Sequence, residues 1–599
     1  MRRFASLLTA GLLLSACQQA TDPGATENND AMATAEYSSA VDYLVVFSQR
    51  QQHGADDDLL SAGLGRSGLL AEAPGSESDT PQANELRRLA IYHGWRAVAH
   101  LSGEAASLNL LDELPIVEGE EISALLQLDS AEQPFRVVVQ IPDNRDASNP
   151  CLVVAPASGS RGVWGALALA GPWALPKGCA VVYTDKGLGS DVVFFDDATG
   201  VGLNGQRRSL DRPPLAFSAS SQDQSAVATP HAHSADHPEA DWGQHVLASA
   251  HFAWQQLPEP DSKPRIIALG LSNGANAVLR AAEADANGLL DAVVAISPNI
   301  TVAGQPPLYD YATLAALYQP CLLADAEQMA QMTLANPMLA GVGQQRCESL
   351  AEAGLLPEPS PQAARQILLE AGFDQTALNQ AAVNVALDLW RSIAVTYASA
   401  YLRRGPDEMP CGYVFEGSAL SAAEREVLWT HHSGVVPSAG LSLTDTLAGQ
   451  GDAAFAGLHC LRKLWQGDSN DSQALRHSVE QTLATAQLPH IPVLLMHGRE
   501  DGLIPIAISA RPYAEQARRN GANIAYLEIS PAQHFDTLLA APGVAQQFVP
   551  LLPYAWLGLN HITAVLDGEA ALTQRELIEA SPPQAGQRLG REHLGWFEE

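Results

Sequence analysis

The chain has 599 residues, 46% of them hydrophobic and 17% charged, which excludes a disordered or fibrous protein and suits a globular one with a large core. Its 34 Lys and Arg face 67 Asp and Glu, a formal net charge of -33. That balance excludes nucleic acid as a partner, resists adsorption to anionic lipid, and requires a local cation wherever an anionic substrate binds.

In chain order, the first residues read MRRFASLLTAGLLLSACQQA. Arg2 and Arg3 precede a short apolar run, Leu7 to Leu14, too short to span a bilayer and built like a secretory signal. The run ends in Leu14-Ser15-Ala16-Cys17, which resembles the bacterial lipobox. That resemblance implies cleavage before Cys17 and lipidation of its thiol. With Gln18 rather than Asp next, it implies an exported lipoprotein anchored at the outer membrane, on its periplasmic or cell-surface face. The anchor is the expected membrane contact. Residues 17–36 are polar, contain Pro and Gly, and read as a flexible tether.

Short β-branched runs then recur at Val137–Pro142, Leu152–Ala155, Ala180–Thr184, Ile266–Leu271, Ala292–Ser297, Val493–Met496 and Ile524–Ile529. Each is followed by a loop and a helical pattern, as in a mostly parallel sheet covered on both faces. Between 305 and 485 strand signals thin out and Ala- and Leu-rich helical stretches take over. The expected organisation is a signal at 1–16, a tether at 17–36, an α/β core at 37–304 and 486–599, and a helical cap inserted at 305–485. Such a cap would lie over the carboxyl ends of the strands, where ligands bind.

Besides Cys17 there are six cysteines, an even number that argues for disulfides in an exported chain. Sequence neighbours are the expected pairs: Cys151–Cys179, Cys321–Cys347 and Cys411–Cys460. No CxxC pair supports a metal site instead.

The chemistry centres on IIALGLSNGANAVLRAAE, where Gly270-Leu271-Ser272-Asn273-Gly274 follows an apolar strand and opens a helix. This is the G-x-S-x-G nucleophile elbow of the α/β-hydrolase fold. Side chains two residues either side of a serine on so sharp a bend would collide, hence the glycines. A serine nucleophile needs a base and an orienting carboxylate. IPVLLMHGREDGLIP places Asp501 at a strand end, with Glu500 as the neighbouring competitor, and LEISPAQHFDTLL places His534 beyond another strand. The order Ser, Asp, His is the one this fold uses. The oxyanion hole needs two N–H donors. Asn273 is expected to supply one, and Gly159 or Ser160, in the loop Ser158-Gly159-Ser160-Arg161-Gly162, the other.

HAHSADHPEADWGQH, His231 to His245, is compatible with metal binding, yet no helix or strand pattern fixes its geometry. It is expected to be a loop, solvated or lining the cleft. Walker A and Rossmann fingerprints are absent, and neither a metal nor an organic cofactor is expected.

The blocks SGSRGVWGAL, TDKGLGSD, HAHSADHPEADWGQHVLASAHFA, ALGLSNGANAVLRAAEAD, YDYATLAALYQPC, SARPYA and PAQHFDTLL run in order from about Val153 to Leu539. Together they resemble the D-(−)-3-hydroxybutyrate oligomer hydrolase family. The resemblance implies a serine esterase that cleaves short 3-hydroxybutyrate oligomers, products of polyhydroxybutyrate breakdown, with Ser272 as nucleophile. The lipobox and tether depart from it. An oligomer of a hydroxy acid ends in a carboxylate, and Arg161 and Lys186 are the candidates to attract it in so acidic a chain. The rival readings are a general carboxylesterase, a peptidase of the same fold, and a lipoprotein that binds ligands on an inactive hydrolase scaffold.

Overall fold

Each apolar run read as a strand falls, to within two residues at either end, on a strand of one ten-stranded sheet. The computed structural model describes residues 41–596 apart from 76–79, 112, 260 and 261; the expected signal, Cys17 and the tether lie outside the described residues. In chain order the strands are β1 (Tyr43–His53), β2 (Gly119–Leu128), β3 (Phe135–Pro142), β4 (Cys151–Pro156), β5 (Ala180–Thr184), β6 (Arg265–Leu271), β7 (Ala292–Ile296), β8 (Val493–Gly498), β9 (Ile524–Ser530) and β10 (Leu577–Glu579). Their spatial order is β1-β2-β3-β5-β4-β6-β7-β8-β9-β10. From β5 to β10 every pairing is parallel, while β1, β2 and β3 are added antiparallel at one end. This is an α/β-hydrolase sheet with an added edge.

Both faces of the parallel strands are buried, which is why they read as continuous apolar runs. Val153, Ile267 and Val294 pack into one core, and their chain neighbours Leu152, Ile266 and Val293 into another, following the two-residue pleat. Helix α1 (Ala83–Val98) contributes Trp95 and Ile91 to the first core. Helices α2 (Pro230–His233) and α3 (Pro238–Gln256) precede β6, and α3 contributes Trp242 and Val246 to the second core. Helix α4 (Asn273–Ala284) follows β6 directly and adds Val278 and Leu279 there.

Strands β1, β2 and β10 carry no such signal. β1, YLVVFSQRQQH, is an edge whose side chains are mostly exposed, the apolar Leu44 to Phe47 included, and its second half is polar. β2 hides Glu121 in its interior, where Arg87 of α1 donates to both carboxylate oxygens. A buried charge of that kind is stable only when paired, and the pairing partner is distant in sequence.

Between β7 and β8 the chain is mostly helical, including α5 (Leu308–Leu322) and α6 (Leu389–Leu402), with one short antiparallel pair, Tyr413–Glu416 against Ser442–Asp445. These helices build a third core around Tyr309, Leu317, Trp390 and Val395. They form the helical cap. Disulfides join Cys321 to Cys347 and Cys411 to Cys460 within it, and Cys151 to Cys179 at the base of the sheet. Closing a loop of 49 residues, as Cys411–Cys460 does, removes about 4 kcal/mol of unfolded-chain entropy in the loop-closure account.

Candidate active site

Ser272 stands between β6 and α4 with φ 57° and ψ -123°, a conformation that costs a non-glycine residue about 1–3 kcal/mol. Two close approaches hold the bend. A Cβ on Gly270 would lie 2.2 Å from the Gly274 carbonyl oxygen, and one on Gly274 would lie 2.6 Å from the Pro156 carbonyl oxygen on β4. The Ser272 N–H donates to the Ile296 carbonyl of β7 at 2.9 Å, which ties the bend to the neighbouring strand. Behind it, Asn273 Nδ2 donates to the Tyr397 hydroxyl of α6 at 3.1 Å, and Asn299 Nδ2 donates to Asn273 Oδ1 at 3.1 Å. The cap therefore touches the residue next to the bend.

Three loops leaving β6, β8 and β9 bring distant residues together. His534 Nε2 lies 3.1 Å from Ser272 Oγ, and His534 Nδ1 lies 2.6 Å from Asp501 Oδ2. All three side chains are buried. Asp501 Oδ1 accepts from the Leu503 and Ile504 N–H groups at 2.9 and 2.7 Å. Burial opposes its charge, but attraction to His534 and hydrogen bonds from His497 and His534 hold its carboxyl below the usual range. Glu500 points elsewhere: it accepts from Ser530 Oγ at 2.7 Å and the Ala532 N–H at 2.8 Å, bracing the turn.

His497, whose spacing to Asp501 marks the acid in the sequence, is itself a member of this cluster, a role the sequence did not assign it. Its Nε2 donates to Asp501 Oδ2 at 3.2 Å and to the Ile504 carbonyl at 3.0 Å, so both oxygens of Asp501 are fixed. The spacing His497-Gly498-x-x-Asp501 was the available signal, since a strand end followed by a tight turn brings i and i+4 together.

The loop after β4 supplies Ser158, Gly159, Ser160 and Arg161 to the same cleft as Ser272 and His534. Lys186, expected to meet substrate, does not. It is fully buried, and its ammonium donates to the Ala157 and Gly159 carbonyls, each at 2.6 Å. Burial pushes it down to about 7. A long side chain at a strand end can fold inward when carbonyls await it there, and sequence alone does not show them. Ser160 Oγ, in turn, lies 2.7 Å from His231 Nδ1. Arg161 is half-buried in the wall of the cleft.

The cleft encloses about 1110 Å³ open to solvent. Cap residues Leu387, Leu389, Ile393 and Val435 form one wall, and Leu503, Ile504 and Phe535 another. Its apolar sides suit a short aliphatic ester.

The His231–His245 segment, expected as a loop, is instead helices α2 and α3, packed inside with all four histidines buried. Instead of facing solvent, their rings pack edge-on against aromatic partners: His231 on Tyr397, His233 on Phe415, His237 on Tyr401 and His245 on Phe135. Among the described residues no group of three or more His, Cys, Asp or Glu could hold a metal ion.

Burial pushes His231, His233 and His245 down to about 3 and His237 to about 4; it also lowers His432 to about 3 and His93 to about 4. Below pH 6.5 the unfolded chain protonates these six while the native protein does not, so their contribution to stability falls as pH falls. Asp185, Glu239 and Asp536, each raised by burial to about 7, act oppositely between about pH 4 and 7. Six groups outweigh three. The thermal unfolding midpoint is expected to fall steadily from pH 6.5 to pH 4.5, and a scan that stays flat or rises over that window contradicts this accounting.

Comparison with known proteins gives a family match over most of the chain. The family model described as 3HB-oligomer hydrolase (3HBOH) matches residues 13–592. A D-(-)-3-hydroxybutyrate oligomer hydrolase of Polaromonas naphthalenivorans (strain CJ2) is 32% identical over 670 residues, covering 96% of this chain and 92% of its own. The protein of the same name from Burkholderia mallei (strain ATCC 23344) is 34% identical over 620 residues, covering 88% and 87%. Among solved structures, Candida antarctica lipase A aligns at 13% identity and a TM-score of 0.35, over 80% of this chain and 84% of its own. The ligand-bound rice cell wall degrading esterase LipA from Xanthomonas oryzae aligns at 12% identity and a TM-score of 0.38, over 76% and 91%.

Proposed function

The chain belongs to the 3HB-oligomer hydrolase family and is a serine hydrolase, and from that premise we propose that it cleaves short 3-hydroxybutyrate oligomers to monomers through an acyl-enzyme. The observation that carries the mechanism is the linked run Ser272 Oγ, His534 Nε2, His534 Nδ1, Asp501 Oδ2 at the base of an apolar-walled cleft. Ser272 Oγ attacks the ester carbonyl as His534 Nε2 takes its proton, and Asp501 keeps the other ring nitrogen protonated. The tetrahedral intermediate collapses, the ester C–O bond breaks, and His534 returns the proton to the leaving hydroxyl. Water then enters, gives its proton to His534, and hydrolyses the Ser272 ester.

The N–H of Asn273, first residue of α4, has no intrahelical acceptor and is the first oxyanion donor of this reading. For the second we favour Ser160 over Gly159. The Gly159 carbonyl is drawn to Lys186, and in a trans peptide this turns the Ser160 N–H the opposite way. Lys186 thus serves the reaction by orienting a peptide group.

The test is hydrolysis of (R)-3-hydroxybutyrate dimer, trimer and tetramer beside p-nitrophenyl esters and tributyrin. The oligomers are expected to have the highest kcat/KM. A higher value for tributyrin would make the protein a general carboxylesterase. The N-terminal sequence supports export and lipid anchoring through Cys17, which incorporation of labelled fatty acid, lost in Cys17→Ser, would establish. No helix among the described residues is long and apolar enough to cross a membrane.

A further inference from the structure

A second cavity, of about 620 Å³, opens beside the Ser272 cleft, and the two share Ala97 and Arg161 in their walls. Its lining comes from four segments far apart in sequence, Ser190 after β5 being one. Helix α1 contributes His93 and Arg96, the loop after β4 contributes Arg161, and the cap contributes Trp429, His431 and His432. Among the described residues no Asp or Glu lines it, although the chain carries a net charge of -33.

The donors around this cavity are under-used. Among the described residues Arg161 makes no hydrogen bond or ion pair; burial alone lowers its guanidinium from the ordinary value, with no opposite charge to offset it. Arg96 stacks on Tyr92 at 3.9 Å and donates through Nη2 to the Ala71 carbonyl, while its Nη1 is buried without a partner. Trp429 Nε1 and His432 Nε2 are likewise buried and unpartnered, in side chains more than nine-tenths buried. The His93 and His431 rings lie 5.3 Å apart, and the neighbouring positive groups further disfavour a charge on His93. Desolvated donors left unpaired are costly, and a group that is costly in the free protein is repaid when a ligand completes it. Planar guanidinium groups fit a carboxylate in particular, through two parallel N–H···O bonds.

We propose that this cavity is a subsite for the free carboxylate end of the substrate oligomer, held by Arg161 and Arg96. The inference rests on the hydroxybutyrate-oligomer reading above. It adds a direction to the reaction. The free carboxylate of such an oligomer belongs to the unit on the alcohol side of its last ester. Anchoring it at Arg161 sets that last ester toward Ser272, so cleavage runs from the carboxyl end. The unit that departs leaves as a 3-hydroxybutyrate monomer carrying its own carboxylate and the proton returned by His534. The acyl-enzyme retains the remainder of the chain. An acidic protein thereby captures an acidic substrate at one basic spot.

The experiment compares the (R)-3-hydroxybutyrate dimer as free acid with its methyl ester, in the wild type, Arg96→Gln and Arg161→Gln. The wild type is expected to prefer the free acid. The ratio of kcat/KM for acid over ester is expected to fall about tenfold in each variant, the loss of one charge-assisted pair. The thermal unfolding midpoint reports that each variant is folded, and the two substitutions sit on different segments, so one misfolded variant leaves the other to decide. Turnover of both dimers with a ratio within twofold of the wild type in the folded variants overturns the subsite and spares the substrate reading. No turnover of either dimer by a wild type that still cleaves p-nitrophenyl butyrate overturns both.

Discussion

Ser272→Ala is expected to lower kcat for 3-hydroxybutyrate dimer hydrolysis by about 10⁴-fold or more while leaving the fold in place. The lost atom is the one that lies 3.1 Å from His534 Nε2, and no other hydroxyl occupies that position at the bend. Alanine retains the Cβ, so the strained φ of 57° and the close contacts of Gly270 and Gly274 are unchanged. The Ser272 N–H bond to Ile296 is a backbone bond and survives the substitution. Thermal unfolding is therefore expected to move little, and any residual rate would come from binding and the oxyanion donors alone. Labelling with a fluorophosphonate should disappear in parallel. A folded variant that keeps a tenth of wild-type turnover would remove Ser272 from the nucleophile's role.

Asp501→Asn is expected to cost about 10⁴-fold in kcat, and the surrounding donors explain why no rotamer of the amide escapes the loss. One oxygen of Asp501 faces the two backbone N–H groups of Leu503 and Ile504. The other faces His534 Nδ1 and His497 Nε2. If the amide NH₂ takes the histidine side, His534 must present a bare Nδ1 and carry its proton on Nε2, where it cannot accept one from Ser272. His497 then also loses its acceptor there and keeps only the Ile504 carbonyl. If the NH₂ takes the other side, two backbone donors meet a donor, at about 1–3 kcal/mol each in a buried site. The variant should thus lose rate, stability or both, read as kcat beside the unfolding midpoint. Activity within tenfold of the wild type at an unchanged midpoint would show that Asp501 does not orient His534.

The geometry around Asp501 also shows why His497 and the basic cavity escaped a reading of the chain. The spacing His497-Gly498-x-x-Asp501 points to the acid, but that the histidine grips it shows only when the turn after β8 folds the two together. Arg161 was legible as a candidate cation beside the presumed oxyanion loop, but Arg96 and Trp429, isolated in sequence, are an ordinary helix residue and an ordinary cap residue until the fold brings them to it. Lys186 was misread for the matching reason: its partners, the Ala157 and Gly159 carbonyls, are backbone atoms that no residue type announces. The histidines of α2 and α3 look polar as letters, yet they behave as flat, neutral rings once aromatic neighbours surround them.

What the amino-acid order determined by itself is whatever depends on near neighbours. Continuous β-branched runs specify strands buried on both faces, glycines flanking Ser272 permit the bend, and the order of Ser272, Asp501 and His534 along the chain follows the strands that carry them. The cap was legible as a long helical interruption of the strand pattern for the same reason. What only the tertiary structure decided is convergence: which carbonyls claim Lys186, which second histidine grips Asp501, and which cations face a cavity with no acid beside them. Those outcomes depend on distances between residues tens to hundreds of positions apart, and the free energy of a charge or a donor is set by the partner it finds there rather than by its own identity.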